Sequence, residues 1–287
     1  MEAKLINIKD YIRSGEGANG SSYDSVTDPL EMVKLYNTDY PIDTIYTELE
    51  VARKVYDLGI PSPEPGELVT DGERIGIRFR RIVGKRSHAR AVSQEPERLE
   101  EFAREFAGMC RRLHSIECPE GTFPNAKEQF RNLVKAEKAY TEEQKRKIYD
   151  FIDSVPDCNT ALHGDMHFGN TLTTLPKGAP FSDKHDTLFI DLGYFGQGYP
   201  LFDLGMTMNI CLTADEDFRV ENFHINGEQT AKIWEYFVDE YFEGKETVES
   251  ANAKVYPFMA LKMFLVSFNI GSMPAHYDAM IRKAFDL

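Results

Sequence analysis

The segment LHGDMHFGN, residues 162–170, restricts most strongly what this chain can fold into and do. It places two histidines, an aspartate and an asparagine within nine positions. Two short strand-like runs follow it, TLTTL and DTLFIDLG. Polar residues grouped at strand ends are typical of turns that carry binding or catalytic groups. We therefore expect Asp165, Asn170 and Asp191 to lie at the ends of adjacent short strands.

The oxygen-bearing side chains of this region offer a specific chemistry. Asp165 could accept or orient the proton of an attacking hydroxyl, while Asn170 and Asp191 supply oxygen ligands that suit Mg²⁺. Mg²⁺ commonly takes one or two protein ligands and completes its shell with water and phosphate. A zinc site at His163 and His167 lacks a third ligand at a recognisable spacing, and H-E-x-x-H is absent. A set of turn and capping residues is the structural alternative.

The chain changes from strand-like to helix-like sequence near residues 84–95, and we place a boundary between a lobe of residues 1–84 and one of residues 85–287. In the first lobe, SSYDSV and EMVKLY are short β-branched and aromatic runs, and TDPL between them favours a tight turn, which predicts a hairpin. GELVTDG and RIGIRFRRIV are further strand candidates.

A helix is predicted between these strands, over residues 43–58, with Asp43 as its N-cap and a stop at Gly59 and Pro61. Its apolar stripe consists of Ile45, Leu49, Ala52 and Tyr56. From Glu95 onward the apolar spacing is helical, and we predict further helices around residues 126–153, 228–243 and 255–285.

Composition bounds the class of protein. A chain of 287 residues can form one large core or two lobes, and its net charge of −14 disfavours nucleic acid or an anionic membrane as a partner. The N-terminus has no apolar signal-peptide stretch, which favours a cytoplasmic protein. The most apolar C-terminal run is interrupted by Lys262, which predicts a buried helix rather than a membrane span. The four cysteines form no C-x-x-C pair.

Two features of the first lobe suit phosphate binding. Gly15, Gly17 and Gly20 form a G-x-G-x-x-G pattern that alone is weak, but glycines inside a hairpin favour a flap whose bare N–H groups lie over phosphates. A mobile turn is the alternative. Lys34 alternates with apolar residues on a strand, and Glu48 lies closer than Glu50 to the apolar side of the predicted helix, so Glu48 is the expected partner of Lys34.

These motifs together resemble the aminoglycoside phosphotransferase and choline kinase family, which are small-molecule kinases with a protein-kinase-like fold. They occur in order from residue 15 to about residue 205, and HGDMHFGN, with H-G-D in place of H-R-D, is the most specific of them. The resemblance implies an α+β, bilobal fold with a small β-rich N-terminal lobe that contains one key helix and a larger, mainly helical C-terminal lobe. No A-P-E follows, which favours a small-molecule kinase over a protein kinase.

The resemblance also implies residue roles, with ATP or GTP as phosphate donor and Mg²⁺ as cofactor. Asp165 would be the catalytic base, with His163 orienting its loop, and Asn170 and Asp191 would hold Mg²⁺. The implied nucleotide-binding residues are Gly15, Gly17, Gly20, Lys34 and Glu48. Asp203 in GYPLFDLG would tie down the loop, with a helix N-cap as the alternative. His114 is predicted to be a packed core histidine.

One departure from the family's pattern concerns the metal ligand. Asp165 and Asp191 are 26 residues apart, which is longer than the usual spacing in this family. The segment PKGAPFSDKHD would form an extra hairpin between them. The choice of Asp191 over nearby Asp186 therefore rests on the motif and not on the spacing. The predicted reaction is transfer of the γ-phosphoryl group to a hydroxyl of a small molecule that carries positive charge, such as an aminoglycoside or amino alcohol, or of a sugar. A catalytically silent nucleotide-binding regulatory module and, less favoured, a protein kinase are the alternatives. The acceptor, the choice of nucleotide and the oligomeric state stay open at this point.

Overall fold

The computed structural model describes residues 2–17, 19–174 and 187–287. The chain separates into two compact units, and the first of them is discontinuous. Unit 1 contains Met1–Ser87 and Thr171–Gly193, and unit 2 contains His88–Asn170 and Tyr194–Leu287. Asp165 and Asn170 therefore belong to unit 2, whereas Asp191 belongs to unit 1 with Lys34 and Glu48.

The described residues form a mixture of strands and helices, which makes the fold α+β. In chain order the strands are β1 (Lys4–Leu5), β2 (Tyr11–Gly17), β3 (Gly20–Ser25), β4 (Glu31–Tyr36), β5 (Pro65–Thr70), β6 (Ile75–Arg80), β7 (Lys85–Ser87), β8 (Thr160–Leu162), β9 (Thr171–Thr174), β10 (Leu188–Phe189) and β11 (Gly196–Gly198). The α-helices are α1 (Ile42–Asp57), α2 (His88–Gln94), α3 (Leu99–Leu113), α4 (Ala126–Ala136), α5 (Glu142–Ser154), α6 (Leu201–Met208), α7 (Glu216–Phe223), α8 (Gly227–Tyr241), α9 (Val248–Ile270) and α10 (Ala275–Phe285).

The main sheet of unit 1 has the strand order β1-β5-β6-β4-β3-β2, in which β1 and β5 are parallel and the other neighbours antiparallel. The predicted hairpin of SSYDSV and EMVKLY is confirmed as β3 and β4, and the next two strand predictions are confirmed as β5 and β6. The G-x-G-x-x-G pattern lies in the hairpin of β2 and β3, where Gly17 is paired with Gly20.

The two faces of β4 pack in different clusters, as the two-residue period of a strand requires. Val33 and Leu35 are buried with Ile6 and Val69 on one face. On the other face, Tyr36 joins a cluster that contains Ile45 and Leu49 of α1, together with Leu68 and Ile77. Residue 34 shares the face of residue 36, so the alternation predicted for Lys34 is confirmed.

Helix α1 is present as predicted, but two details of the prediction are wrong. Asp43 is not the N-cap, since Pro41 occupies that position. The Asp43 carboxylate lies in the first turn, where its negative charge interacts favourably with the helix dipole. Tyr56 is 37% exposed, and Val55 is fully buried in its place. The inward face therefore continues from Ala52 by three residues rather than four.

A second, smaller sheet of unit 1 has the order β10-β9-β7, with antiparallel neighbours. It confirms TLTTL and DTLFIDLG as strand-forming segments. The Phe189 N–H donates to the Pro61 carbonyl oxygen at 2.8 Å, which attaches the end of β10 to the segment after α1. The extra hairpin expected from PKGAPFSDKHD, and Asp186 with it, lies outside the described residues.

Unit 2 is mainly helical, with α3 packed on α8 and α6 packed on α9, and β8 paired with β11. The helical sequence predicted around residues 126–153 forms two helices, because α4 ends at Ala136 and α5 begins after Thr141. Thr141 and Gln144 form a reciprocal capping box, which starts a new helix. The helix predicted over residues 228–243 is confirmed as α8.

The helical sequence predicted around residues 255–285 also belongs to two helices. Helix α9 begins earlier, after a capping box at Thr247 and Ser250, and ends at Gly271, whose φ of +74° is the left-handed conformation that terminates helices. Helix α10 begins after Pro274. Lys262 is buried in α9, as the sequence predicts for this run. Among the described residues, no helix is long and apolar enough to cross a membrane.

Candidate active site

The first part of the candidate site is an ion cluster in unit 1. The Lys34 Nζ lies 2.8 Å from Glu48 Oε1 and 3.1 Å from Asp191 Oδ1. The Glu48 side chain is buried, whereas that of Asp191 is 53% exposed. Glu50, the alternative partner on α1, is exposed. The structure thus brings together three of the predicted site residues, which are separated by as many as 157 positions.

Local packing fixes the ammonium of Lys34. It lies 5.0 Å from the ring centroid of Tyr36, two residues further on the same face of β4, and this cation–π contact adds to the ion pairs. Burial by itself would lower the pKa of Lys34, but the negative charges of Asp191 and Glu48 outweigh it and raise that pKa above its ordinary value. Lys34 is therefore a permanent, oriented positive charge.

Asp191 is held in an uncommon backbone conformation, with a φ of +59°. Non-glycine residues rarely adopt this left-handed region, although aspartate tolerates it better than most, and such residues concentrate at functional sites. Two residues later, a Cβ added to Gly193 would lie 3.2 Å from Glu48 Oε2. The turn after β10 is thus tightly packed on the carboxylate that holds Lys34, while the Asp191 side chain faces solvent.

The three glycines of the hairpin have different environments. Gly15 and Gly17 are exposed. Gly20 is buried, and a Cβ there would lie 2.3 Å from the Leu35 carbonyl oxygen, which no real Cβ can tolerate. The packing of β3 against β4 therefore requires glycine at position 20 whether or not a ligand binds. Only Gly15 and Gly17 present exposed backbone that a ligand could approach.

The second part of the candidate site is the loop of residues 163–170 in unit 2. Asp203 lies in the first turn of α6 and accepts the backbone N–H groups of His163 and Gly164, each at 2.7 Å. The N-cap position of α6 is occupied by Pro200 rather than by Asp203. The prediction that Asp203 ties down the loop is confirmed, and the alternative of a helix N-cap is wrong. His163 is fully buried, and its Nδ1 accepts the Asp165 N–H at 3.3 Å, which suits an orienting role.

Asp165 is surrounded by groups that favour its ionised form. The Asn170 amide donates both to the Asp165 carbonyl oxygen at 3.0 Å and to Oδ2 at 3.1 Å, and His167 Nε2 lies 3.7 Å from Oδ2. Burial would raise the pKa of Asp165, but His167, His163 and Lys262 outweigh it and hold that pKa well below its ordinary value. Asp165 is thus an ionised, hydrogen-bonded carboxylate.

Other contacts to this loop were not predicted. Thr207 of α6 donates to the Met166 carbonyl oxygen at 2.8 Å, and Lys262 of α9 donates to the Gly164 carbonyl oxygen at 2.5 Å. His114 is packed, as predicted, but also hydrogen-bonds Asp203 through Nε2 at 3.1 Å. The signal for Lys262 was its isolated position in an apolar run. Thr207 carries no comparable signal, because its role depends on a contact across 41 positions.

The donor groups suit Mg²⁺ rather than zinc. The amide nitrogen of Asn170 donates to Asp165, so the side-chain oxygen of Asn170 is the atom that could bind a metal ion. The exposed carboxylate of Asp191 offers a second hard oxygen ligand. Residues 2–17, 19–174 and 187–287 contain no group of three or more His, Cys, Asp or Glu side chains placed to hold a metal.

Comparison with known proteins places these motifs in a family. Residues 15–236 match the phosphotransferase enzyme family, and this stretch contains every candidate residue described above except Lys262. The chain belongs to this family. It is accordingly a phosphotransferase by family, which agrees with the resemblance of its motifs. By sequence, this phosphotransferase matches none of the curated proteins with which it was compared.

Solved structures share the fold of this phosphotransferase at low sequence identity. An aminoglycoside-3'-phosphotransferase of type VIII has a TM-score of 0.59 at 18% identity, covering 88% of this chain and 93% of that one. A choline/ethanolamine kinase family protein from Mesorhizobium loti gives 0.55 and 18%, covering 96% and 85%. A thermostable mutant of the aminoglycoside phosphotransferase APH(4)-Ia, in ternary complex with AMP-PNP and hygromycin B, gives 0.57 and 14%, covering 95% and 93%. The α+β fold, with a β-sheet N-terminal lobe and a helical C-terminal lobe, is common to all of them.

Proposed function

We propose that this phosphotransferase moves the γ-phosphoryl group of ATP to a hydroxyl of a small molecule. The observation that carries the proposal is the cluster of Lys34, Glu48 and Asp191, in which a permanent positive charge is held against one buried and one exposed carboxylate. A charge of this kind is suited to the phosphates of a nucleotide. The proposed nucleotide lobe is residues 1–84, with residues 85–287 as the catalytic and acceptor lobe.

The proposed nucleotide contacts come from unit 1. Lys34, oriented by Glu48, would bind phosphate oxygens, and the exposed backbone at Gly15 and Gly17 would lie close to the phosphates. Asn170 and Asp191 would hold Mg²⁺ through their side-chain oxygens. Bound Mg²⁺ would neutralise phosphate charge and orient the transferring group. Residues 80–83 would border the nucleotide base.

Asp165 is the proposed base. The acceptor oxygen forms a bond to the γ-phosphorus, the bond between that phosphorus and the bridging oxygen of the nucleoside diphosphate breaks, and the acceptor proton passes to Asp165. An aspartate with a lowered pKa is a weak base, so its main contribution is to orient the hydroxyl and to take the proton as the new bond forms. His163 would keep the loop in place without contacting the acceptor.

ATP is favoured as the donor because a solved neighbour with the same fold binds AMP-PNP, and GTP remains the second candidate. The chemical class of the acceptor is less closely defined than that of the donor. Two acidic residues of α8 are already paired, since Asp239 contacts Arg104 at 2.7 Å and Glu240 contacts Arg111 at 3.2 Å. The overall charge of −14 still favours a cationic compound over an anionic one. We therefore propose a hydroxyl-bearing aminoglycoside, amino alcohol or sugar.

The test is release of nucleoside diphosphate in the presence of Mg²⁺ and ATP or GTP, across a panel of aminoglycosides, amino alcohols and sugars. The Asp165→Asn variant is measured beside the wild type, with Asp157→Asn as control, because the Asp157 side chain is 93% exposed. We expect release that depends on one acceptor class, is lost in Asp165→Asn and is retained in Asp157→Asn. Nucleotide affinity should be similar in all three proteins.

Full acceptor-dependent release by Asp165→Asn would overturn the assignment of the base. Faster release with GTP than with ATP would correct the donor. Nucleotide binding without release for any acceptor would favour the regulatory-module alternative, and labelling of an added protein would favour a protein kinase.

A further inference from the structure

Lys262 is a buried lysine in the middle of α9. It is 3% exposed and lies between Leu261 and Met263, which are fully buried. Lysine is almost never fully buried unless its charge is paired, because desolvating an ammonium costs several kcal/mol. Within the described residues, no carboxylate oxygen lies within 4.0 Å of its Nζ. Its burial is therefore not explained by an ordinary salt bridge.

Lys262 contacts the loop of residues 163–170 and one aromatic ring of α4. Its Nζ donates to the Gly164 carbonyl oxygen at 2.5 Å and lies 5.3 Å from the ring centroid of Phe130. Burial lowers the pKa of Lys262, and the negative charges of Asp203 and Asp165 oppose this effect. The same positive charge lowers the pKa of both aspartates. The positive charge of Lys262 thus acts on Asp165 of the loop and on Asp203 of α6.

The Gly164 carbonyl and the Asp165 N–H belong to one peptide group, and both of its polar ends are held. Lys262 binds the oxygen, while His163 Nδ1 accepts the N–H at 3.3 Å. Because a peptide group is planar, fixing both ends fixes the direction in which the chain enters Asp165. Gly164 itself has a φ of +82°, and a Cβ there would lie 1.8 Å from the Tyr194 carbonyl oxygen.

The rest of the loop is anchored in the same way but by a different helix. Asp203 and Thr207 of α6 bind the backbone of His163, Gly164 and Met166. Thr207 is neutral and Asp203 is negative. Of these three helix side chains that contact the loop backbone, Lys262 therefore supplies the positive charge. A neutral donor could satisfy the Gly164 oxygen, but it could not balance two nearby carboxylates.

We propose that Lys262 is a positioning residue of the phosphotransfer reaction, whose buried ammonium orients Asp165 through the Gly164 carbonyl and balances the charge of Asp165 and Asp203. This inference rests on the proposed role of Asp165 as the base. It differs from a purely stabilising role, because it predicts a loss of turnover in protein that is fully folded and still binds nucleotide.

The test compares Lys262→Met, which keeps the apolar stem and removes the ammonium, with Lys145→Met. Lys145 is a control in the same unit, since it is also buried and its Nζ donates to a backbone carbonyl, that of Lys135 at 3.2 Å; unlike Lys262, it also lies 3.4 Å from the exposed carboxylate of Glu142. Thermal unfolding, nucleotide affinity and steady-state kinetics are measured for both variants, with all assays well below the melting temperatures. Lys262→Arg is included because it retains the positive charge.

We expect Lys262→Met to lower kcat by about 100-fold, since a misplacement of about 1 Å can cost that much, with unchanged nucleotide affinity. Lys145→Met should lose melting temperature but keep the wild-type kcat, and Lys262→Arg should exceed Lys262→Met in kcat. If Lys262→Met does not fold, Lys262→Gln, which keeps an N–H donor but no charge, carries the same expectation of a lower kcat.

A wild-type kcat in folded Lys262→Met or Lys262→Gln would overturn the inference while leaving the proposed function intact, provided that Asp165→Asn is inactive. An active Asp165→Asn would instead overturn the proposed function. An equal loss of kcat in Lys145→Met would show that general destabilisation accounts for the effect, and would also overturn the inference.

Discussion

At the scale of single residues, Asp203 holds the loop of residues 163–170 through two backbone N–H groups. Its fully buried carboxylate accepts from the His163 and Gly164 N–H groups, and His114 Nε2 lies 3.1 Å from it. Burial would raise the pKa of Asp203, but the bond to His114 and the charges of His114, Lys262 and His163 outweigh it and lower that pKa below its ordinary value. The ionised form is therefore part of the folded state.

This lowered pKa predicts a pH-dependent contribution to stability. A carboxyl whose pKa is lower in the folded than in the unfolded state stabilises the fold above its unfolded pKa of about 4, and this contribution is lost as the pH falls towards the folded value. Asp203→Asn should therefore melt well below the wild type at pH 7, and the difference should shrink below about pH 4. Thermal unfolding of both proteins from pH 7 to pH 3 checks this, and a difference that stays constant would contradict it.

At the scale of elements, α1 is the helix that positions Lys34, the proposed nucleotide-binding lysine. Its apolar face packs on the sheet through Ile45 and Leu49, and Glu48 reaches Lys34 from the edge of that face. The sequence predicted this arrangement because helical periodicity and strand alternation are local properties. It also separated Glu48 from Glu50 correctly, by their angles to the apolar stripe.

Replacing Glu48 tests the function of α1 with a control on the same helix. Glu48→Gln removes the charge that orients Lys34, and we expect the dissociation constant for nucleotide to rise about tenfold, because a hydrogen bond to a charged group contributes about 1.5–3 kcal/mol. Exposed Glu50→Gln should bind as the wild type does. Calorimetric titration of the three proteins with nucleotide measures this, and equal affinities for Glu48→Gln and wild type would remove Glu48 from the site.

The elements also show where prediction from sequence ends. The hairpins β3–β4 and β5–β6 follow from alternation and turn residues, whereas the divisions between α4 and α5 and between α9 and α10 depend on capping signals within long apolar patterns. The contacts of Thr207 and Lys262 with the loop join residues 41 and 98 positions apart. Periodicity contains no information about such pairs, so a buried lysine could be noticed in the sequence but its partner could not be named.

At the scale of the whole molecule, the candidate residues are divided between the two units. Unit 1 contributes Lys34, Glu48 and Asp191, and unit 2 contributes Asp165 and Asn170. Each set is held by contacts within its own unit. The reaction that we propose requires both sets, and the proposed metal ligands, Asn170 and Asp191, come from one unit each.

Removal of the metal tests the proposed role of Mg²⁺. Nucleoside diphosphate release should stop in excess EDTA and return when Mg²⁺ is restored, because the phosphate charge is otherwise unbalanced. Asp191→Asn should need a higher Mg²⁺ concentration for half-maximal rate. Nucleotide should also raise the melting temperature more with Mg²⁺ than without it, since a ligand that binds only the folded state stabilises it in proportion to its affinity. Undiminished release in EDTA would contradict the metal assignment.

The discontinuity of unit 1 has a consequence for how the chain folds as it is synthesised. Strand β7 can pair with β9, and Lys34 can contact Asp191, only after the intervening part of unit 2 has been made. Unit 2 in turn begins before Thr171 and is completed only by residues after Gly193. Contacts between residues so distant in sequence form slowly, and nascent chains otherwise tend to fold one domain at a time from the N-terminus. Unit 1 of this phosphotransferase can therefore finish folding on the ribosome only after residues 88–170 of unit 2 have been made, and unit 2 only after all of unit 1 has been made.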